Sequence, residues 1–103
     1  MTINIQYQDM PTSESLNEIV TRNLNKLAHK FQFLIRADVL FKVENDPTGN
    51  GKICEVQLSA PGPRIFAKSN ENNFEKAAAA TLSDLNKQLQ KRKEKISKRK
   101  KTL

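Results

Sequence analysis

The sequence is poor in the residues on which most catalytic and metal-binding sites depend. It has one cysteine, one histidine and no tryptophan among 103 residues, and only 6% of its residues are aromatic. A single cysteine excludes an internal disulfide framework and a cysteine-rich metal cluster. So few aromatic side chains also argue against a protein that holds unstructured single strands by base stacking. The three glycines match neither a phosphate-binding loop nor a dinucleotide-binding motif, so we expect no cofactor.

No segment of the sequence is apolar enough to cross a membrane. A spanning helix needs roughly 20 consecutive apolar residues, and no run approaches that length. The opening MTINIQYQDM also lacks the basic start and apolar stretch of a signal peptide. Together with the unpaired thiol of Cys54, these features predict a cytoplasmic protein with no membrane partner. A chain of this length has room for one domain with one core.

Neither His29 nor Cys54 is accompanied by a motif that would make it catalytic. His29 stands beside Lys26 and Lys30, and a general base would need a positioned partner and a pocket. We therefore interpret it as a solvated histidine on a helix. Cys54 alternates with apolar residues in a predicted strand, where a small buried side chain fits well. The sequence thus predicts no enzymatic activity and no small-molecule substrate.

Positive charge is what the sequence has in excess, and it is concentrated near the C-terminal end. The whole chain carries a net charge of +7. Residues 87–103 contain nine lysines and arginines against one acid, Glu94, which is a net charge of +8, whereas residues 1–86 carry −1. Such a cationic segment attracts polyanions, and nucleic acid is the commonest polyanion in the cytosol.

The first part of the chain predicts one strand followed by one helix. Apolar and polar residues alternate from Ile3 to Tyr7, which is typical of a half-buried strand. Across residues 14–32 the apolar residues recur at steps of three or four, which indicates an amphipathic helix. Ser13 or Ser15 is expected to cap this helix, and Ser15 with Glu18 has the spacing of a capping box.

Three strands are predicted in the middle of the chain. Alternation resumes from Ala37 to Glu44, and further alternating segments run from Ile53 to Ser59 and from Arg64 to Ser69. The loop at 45–51 contains one proline and two glycines, and a Pro-Gly-Pro at 61–63 turns the chain again. Two such hairpins imply antiparallel pairing.

The rest of the chain predicts one long helix, from about residue 72 to residue 98. Asn70 or Asn72 is expected to cap it, and apolar residues recur at helical spacing as far as Leu89. The resulting order is β-α-β-β-β-α. We therefore predict an α+β fold in which two helices pack on one face of a four-stranded sheet.

Basic residues form a stripe on each predicted helix. In the final helix the lysines recur at steps of four, four and three, which places them on one side, and two arginines flank them. Like charges at this spacing repel one another unless an anion lies alongside, so the stripes predict binding to nucleic-acid phosphates. The alternative is a solvated charged face or a solubilising tail. The predicted RNA-binding residues are Arg22, Lys26, Lys30, Lys87, Lys91, Arg92, Lys95, Lys98 and Arg99.

Three segments carry a resemblance to a known family. They are INIQ near the start, KLAHKF at the end of the first helix and FEKAAAATLSDLNKQLQKRKEK in the last helix. Together with the order of the elements, they resemble the ribosome hibernation promoting factors, also described as ribosome-associated inhibitors or protein Y. The likeness covers residues 2 to about 98. Its most specific part is the final helix, with an aromatic at its start (Phe74, commonly Tyr) and a Leu-x-x-Gln-Leu core that runs into lysines.

The resemblance implies a non-enzymatic protein that binds the small ribosomal subunit and its rRNA in the channel used by mRNA and tRNA. There it is expected to block translation and to protect idle ribosomes in stationary phase or stress. The family's basic positions on the two helices correspond here to Lys26, Lys87, Lys91, Arg92 and Lys95.

The resemblance is to the short members of the family, which lack an additional dimerisation domain. We expect residues 1–98 to form a single ribosome-binding domain and residues 99–103 to be a basic, frayed tail. Any pairing of ribosomes into dimers then needs a second factor. The aspartate that usually precedes the helix aromatic is replaced by Asn72 and Asn73.

Two other functions are compatible with the residues. A general nucleic-acid-binding or architectural protein would use the cationic helix on any duplex, and a regulator that docks on a protein would use the tail only for solubility. The near-neutral body favours one defined binding site over indiscriminate coating, because only one surface is predicted to be cationic. Sedimentation of a cell lysate separates these functions, since only the first predicts co-migration with ribosomes.

Overall fold

The predicted order of two helices and four strands is confirmed. The computed structural model describes the backbone of residues 1–101 and the side chains of residues 1–95. Its elements are β1 (Thr2–Gln8), α1 (Glu14–Lys30), β2 (Arg36–Val43), β3 (Lys52–Ser59), β4 (Ile65–Glu71) and α2 (Phe74–Lys101). Of the tail predicted to fray, residues 99–101 have helical backbone in α2, and residues 102 and 103 lie outside the described range.

The strands form one mixed sheet in the order β1-β2-β3-β4. β1 lies parallel to β2, because α1 carries the chain back along the sheet between them. The hairpins that join β2 to β3 and β3 to β4 pair antiparallel, as the turn sequences predict. Val39 in β2 is paired with Ile5 on one side and with Val56 on the other. This register places Ile5, Val39 and Val56, with the alternate apolar residues of the same strands, on one face, whereas Ile53 and Phe66 lie on the other.

Both helices pack on that apolar face, as predicted. Leu24 of α1 and Leu85 of α2 are completely buried there. The ring of Phe41 stacks on that of Tyr7 with 5.3 Å between centroids, and Phe74 at the start of α2 meets it edge-on at 5.7 Å. Burying side chains of this size contributes about 1.5–3 kcal/mol each. The core therefore fixes both helices relative to the sheet.

The cap of α1 follows one of the two alternatives open in the sequence. Ser13 is the cap, and its Oγ accepts a hydrogen bond from the backbone N–H of Leu16 at 3.3 Å. Because α1 begins at Glu14, Ser15 already lies in the first turn. The predicted capping box of Ser15 and Glu18 is therefore wrong.

The predicted cap of α2 is also wrong, by one to three positions. Asn73 caps this helix, since its Oδ1 accepts a hydrogen bond from the backbone N–H of Lys76 at 2.8 Å. Asn70 is still part of β4, and its Oδ1 accepts a hydrogen bond from the N–H of Gly51 at 2.7 Å. Asn73 thus supplies the capping acceptor directly before Phe74. Neither α1 nor α2, over the described residues, combines the length and apolarity needed to cross a bilayer.

Candidate nucleic-acid interface

Helix α1 presents its basic residues to solvent because its apolar residues face the sheet. The buried side chains of α1 are Leu16, Val20, Leu24 and Leu27. Arg22, Lys26 and Lys30 recur at steps of four, and all three are exposed. The stripe predicted from this spacing is therefore present on the helix.

Lys26 and Lys30 border a groove of about 420 Å³ between the two helices. The polar side chains that line it are Asn23, Lys26 and Lys30 from α1 and Ser83 and Asn86 from α2. The Nζ of Lys30 donates a hydrogen bond to Oδ1 of Asn86 at 3.2 Å, across the groove. Ammonium groups beside amide and hydroxyl groups are the donors that proteins use to hold phosphate oxygens.

Lys93 lies close to this groove, although its spacing excluded it from the predicted stripe. Its Nζ is 6.0 Å from the centroid of the Phe31 ring, and the Nζ of Lys30 is 5.2 Å from the same centroid. A cation within about 6 Å of an aromatic ring is attracted to its face. The ammonium groups of Lys30 in α1 and Lys93 in α2 therefore both lie near the ring of Phe31. The sequence could have indicated this position of Lys93, because Lys93 follows Asn86 by seven residues, about two helical turns, and so lies on the same side of α2.

Lys87, Lys91 and Lys95 are exposed on α2, as the spacing predicts. Lys91 and Lys95 follow Gln88 and Arg92 by three residues, and the side chains of both Gln88 and Arg92 bond to the β3–β4 hairpin. These two lysines therefore lie near the hairpin rather than in the groove. The basic residues of α2 are divided between two flanks of the helix.

Arg92 differs from the other candidates because its guanidinium is engaged within the protein. Its Nη1 donates to the carbonyl of Pro61 at 2.8 Å, and its Nη2 donates to the carbonyl of Pro63 at 2.9 Å. Arg92 is also partly buried, whereas its lysine neighbours are exposed. The side chains of the last two candidates, Lys98 and Arg99, lie outside the described residues.

Two basic residues of β2, Arg36 and Lys42, are matched with acids, whereas Lys52 of β3 and Lys68 of β4 form no ion pair within residues 1–95. Nη2 of Arg36 is 2.9 Å from Oδ1 of Asp38, and Nζ of Lys42 is 2.9 Å from Oε2 of Glu55 and 3.4 Å from Oε1 of Glu44. The hydrogen bond from Arg36 lowers the pKa of Asp38, and the one to Glu55 raises the pKa of Lys42. All ion pairs within residues 1–95 involve the sheet, so in that range the helix cations have no acidic partner.

Cys54 and His29, the two residues considered as possible catalysts, lie in the core and on the solvent-exposed side of α1, respectively. Cys54 is 1% exposed, and its backbone carbonyl accepts a hydrogen bond from Oγ1 of Thr81 at 3.1 Å. Burial raises the pKa of the Cys54 thiol to about 11, so the thiol is protonated at neutral pH. His29 is exposed on α1. The predictions of a buried cysteine and a solvated histidine are confirmed.

Comparison with known proteins adds a family and two similar structures. Residues 3–97 match the family model described as sigma 54 modulation protein / S30EA ribosomal protein. A ribosomal subunit interface protein from Coxiella burnetii is 22% identical, with a TM-score of 0.76 over 90% of this chain and 98% of that one. The N-terminal domain of Protein Y from Thermus thermophilus is 16% identical, with a TM-score of 0.75 over 88% and 98%. Among curated protein sequences, none matches this chain. At these identities the two structures support the fold, and the family match covers nearly the whole sequence.

Proposed function

Because this chain belongs to the sigma 54 modulation protein / S30EA ribosomal protein family, we propose that it binds the rRNA of the small ribosomal subunit, in the channel used by mRNA and tRNA. Bound there, it blocks translation in idle cytoplasmic ribosomes during stationary phase or stress. The family is one of ribosome-associated proteins and is not an enzyme family, and the resemblance drawn from the sequence is confirmed. We propose residues 1–98 as the binding domain, with the basic tail adding long-range attraction.

The observation that carries this proposal is the separation of charge in the molecule. Arg36 and Lys42 on the sheet are bonded to neighbouring acids. The exposed lysines of the two helices have no acid within ion-pair distance among residues 1–95. A row of unmatched ammonium groups is stabilised by a row of anions, and the phosphate backbone of RNA supplies one.

The shape of the helical face supports RNA as the partner. Lys26 and Lys30 border the groove above an apolar floor of Leu27, Ala79 and Leu82, so the phosphate-binding surface is its cationic rim, which Lys93 extends from the α2 side. Contacts of this kind fix position and recognise shape, because phosphates carry no sequence information. A folded rRNA surface holds its phosphates in a fixed array, which suits cations held on a rigid pair of helices.

Sedimentation with purified small subunits tests the proposal. We expect the wild-type protein to co-sediment with them and to inhibit translation in a cell extract. We expect Lys26→Gln and Lys93→Gln to weaken binding by similar factors, because Lys26 lies on the α1 side of the groove between the helices and Lys93 lies near its α2 side. Lys68→Gln is the matched control, since it removes the same charge from an exposed position on β4. A protein that stays at the top of the gradient contradicts the proposed function.

The regular stripe of Lys87, Lys91 and Lys95 also suits a general nucleic-acid-binding protein. A competitor duplex RNA of mixed sequence separates the two functions. If the small subunit offers a specific site, a tenfold excess of competitor phosphate leaves most of the protein on the subunit. Displacement at equal phosphate concentration supports the general binder instead.

A further inference from the structure

The contacts of Arg92 use the fork geometry that distinguishes arginine from lysine. Nη1 and Nη2 bond to two different carbonyl oxygens, those of Pro61 and Pro63, at 2.8 and 2.9 Å. A guanidinium holds two such acceptors at once because its donors are fixed in a plane. The single ammonium of a lysine is a point donor on a flexible stem and does not reproduce this arrangement.

The turn that Arg92 contacts has little else to hold it. Pro61 and Pro63 have no backbone N–H, so neither can donate a hydrogen bond. Gly62 between them has a φ of +95°, and a Cβ built there lies 3.1 Å from Nη1 of Arg92. The guanidinium therefore fills the space beside this glycine and closes the turn against α2.

A second contact ties the same hairpin to α2 one turn earlier. Nε2 of Gln88 donates a hydrogen bond to the backbone carbonyl of Phe66 in β4 at 2.9 Å. Gln88 and Arg92 are four residues apart and therefore lie on the same side of the helix. Leu89 is the last fully buried leucine of α2. Arg92 therefore attaches α2 to the β3–β4 turn at a point beyond the apolar core. Lys91 and Lys95 lie on the same turn of α2 as Arg92.

We propose that Arg92 is a positioning residue and not a phosphate ligand. It fixes the β3–β4 turn against α2 and thereby sets the direction in which α2 presents Lys91 and Lys95. This inference rests on the proposed function for its effect on RNA binding, whereas the contact between Arg92 and the turn is independent of any partner.

Three variants distinguish a positioning residue from a phosphate ligand. Arg92→Lys keeps the charge and removes the fork, Arg92→Gln removes both, and Lys91→Gln is the matched control at an exposed neighbour. The measurement is binding to purified small subunits over a range of salt concentrations. We expect both Arg92 variants to lose affinity by roughly three- to tenfold, with a salt slope close to that of the wild type. We expect Lys91→Gln to reduce the steepness of the slope by about 0.9.

The opposite result is equally clear. If Arg92→Lys binds as tightly as the wild type while Arg92→Gln loses affinity and about 0.9 of the slope, Arg92 acts through its charge on a phosphate. That outcome overturns the proposal.

A measurement without RNA tests the contact itself. Gly62→Ala strains a positive φ and also crowds Arg92, whereas Gly49→Ala strains a similar φ of +87° with no atom within 4 Å of the new Cβ. We expect Gly62→Ala to lower the melting temperature more in the wild type than in Arg92→Gln, and Gly49→Ala to lower it equally in both. Equal effects of Gly62→Ala in the two backgrounds overturn the proposal. A coupled pair in a protein that does not bind ribosomes contradicts the proposed function and leaves the contact established.

Discussion

The two faces of the molecule arrange their charges in opposite ways. On the open face of the sheet, Lys42 of β2 and Glu55 of β3 are diagonal neighbours and form an ion pair. On the helical face, residues four apart carry the same charge, as in Lys87 and Lys91, and both are exposed. The two cations of β2 have acidic partners within the protein, whereas the exposed lysines of the helices have none among residues 1–95.

The difference lies in arrangement more than in the number of charges. An exposed ion pair contributes only about 0–1 kcal/mol to stability, but each partner cancels much of the field of the other. Arg36 and Lys42 therefore contribute little attraction toward a polyanion, whereas the lysines of α1 and α2 add their fields. The net charge counts all of these basic residues equally and does not distinguish the paired ones from the unpaired ones.

The largest expected effect concerns salt, because the proposed interface consists of cations that have no acidic partner in the described residues. If about five or six phosphates are neutralised, the slope of log K against log salt is roughly −4 to −5. Affinity for small subunits then falls roughly 250- to 1000-fold between 50 and 200 mM salt. A titration by sedimentation or fluorescence anisotropy measures this, and a flat response removes the electrostatic explanation.

Substituting Lys87, Lys91 and Lys95 together by glutamine is the next largest perturbation. Glutamine has nearly the helix propensity of lysine, so the fold is retained. We expect ribosome binding to fall by about 100-fold and translational inhibition to fall with it. Circular dichroism checks that α2 remains helical.

A matched triple substitution on the sheet tests the comparison directly. Replacing Arg36, Lys42 and Lys68 by glutamine removes the same total charge, and we expect it to change binding by less than about fivefold at equal salt. If the two triple variants bind equally poorly, net charge decides binding and the distinction between the faces is wrong.

Deleting residues 100–103 has a smaller expected effect. The deleted lysines lie well beyond Leu89, the last fully buried leucine of α2, so they supply mainly long-range attraction. We expect a loss of about two- to fourfold in affinity, greatest at low salt. A truncation as damaging as the triple lysine substitution indicates an undirected polycation instead of an ordered stripe.

Cys54→Ala is expected to change neither face, because Cys54 lies in the core between them. We predict unchanged ribosome binding and a loss of about 1 kcal/mol in the free energy of unfolding at pH 7, measured by urea denaturation. Burial raises the pKa of this thiol from its ordinary value of 9.0 to about 11. The unfolded chain therefore releases this proton first, and the wild type loses stability as the pH rises from about 9 to about 11. Over that window the difference in stability between wild type and variant should narrow and then reverse, because two pKa units correspond to about 2.7 kcal/mol; a constant difference indicates a thiol with an unshifted pKa.

Periodicity was sufficient to predict the elements, because the apolar residues of each element repeat locally. The hairpin at 45–51 and the helix across 14–32 both appear close to their predicted positions. The caps were harder, since Asn70, Asn72 and Asn73 have the same side chain. Which of them caps α2 depends on where β4 ends, and β4 continues to Glu71 because it remains paired with Lys52 of β3.

The sequence by itself determined the family resemblance, the order of the elements and the concentration of positive charge, because these depend on composition and local spacing. Only the tertiary structure decided which cations share a site. Lys30 and Lys93 are distant in the chain, yet both lie against Phe31. Arg92 is surrounded by lysines in the sequence, yet it bonds to the carbonyls of a remote turn. The physical reason is that neighbours across elements depend on how α2 packs against the sheet and α1, and that packing is set by the buried core instead of by the spacing of the charges.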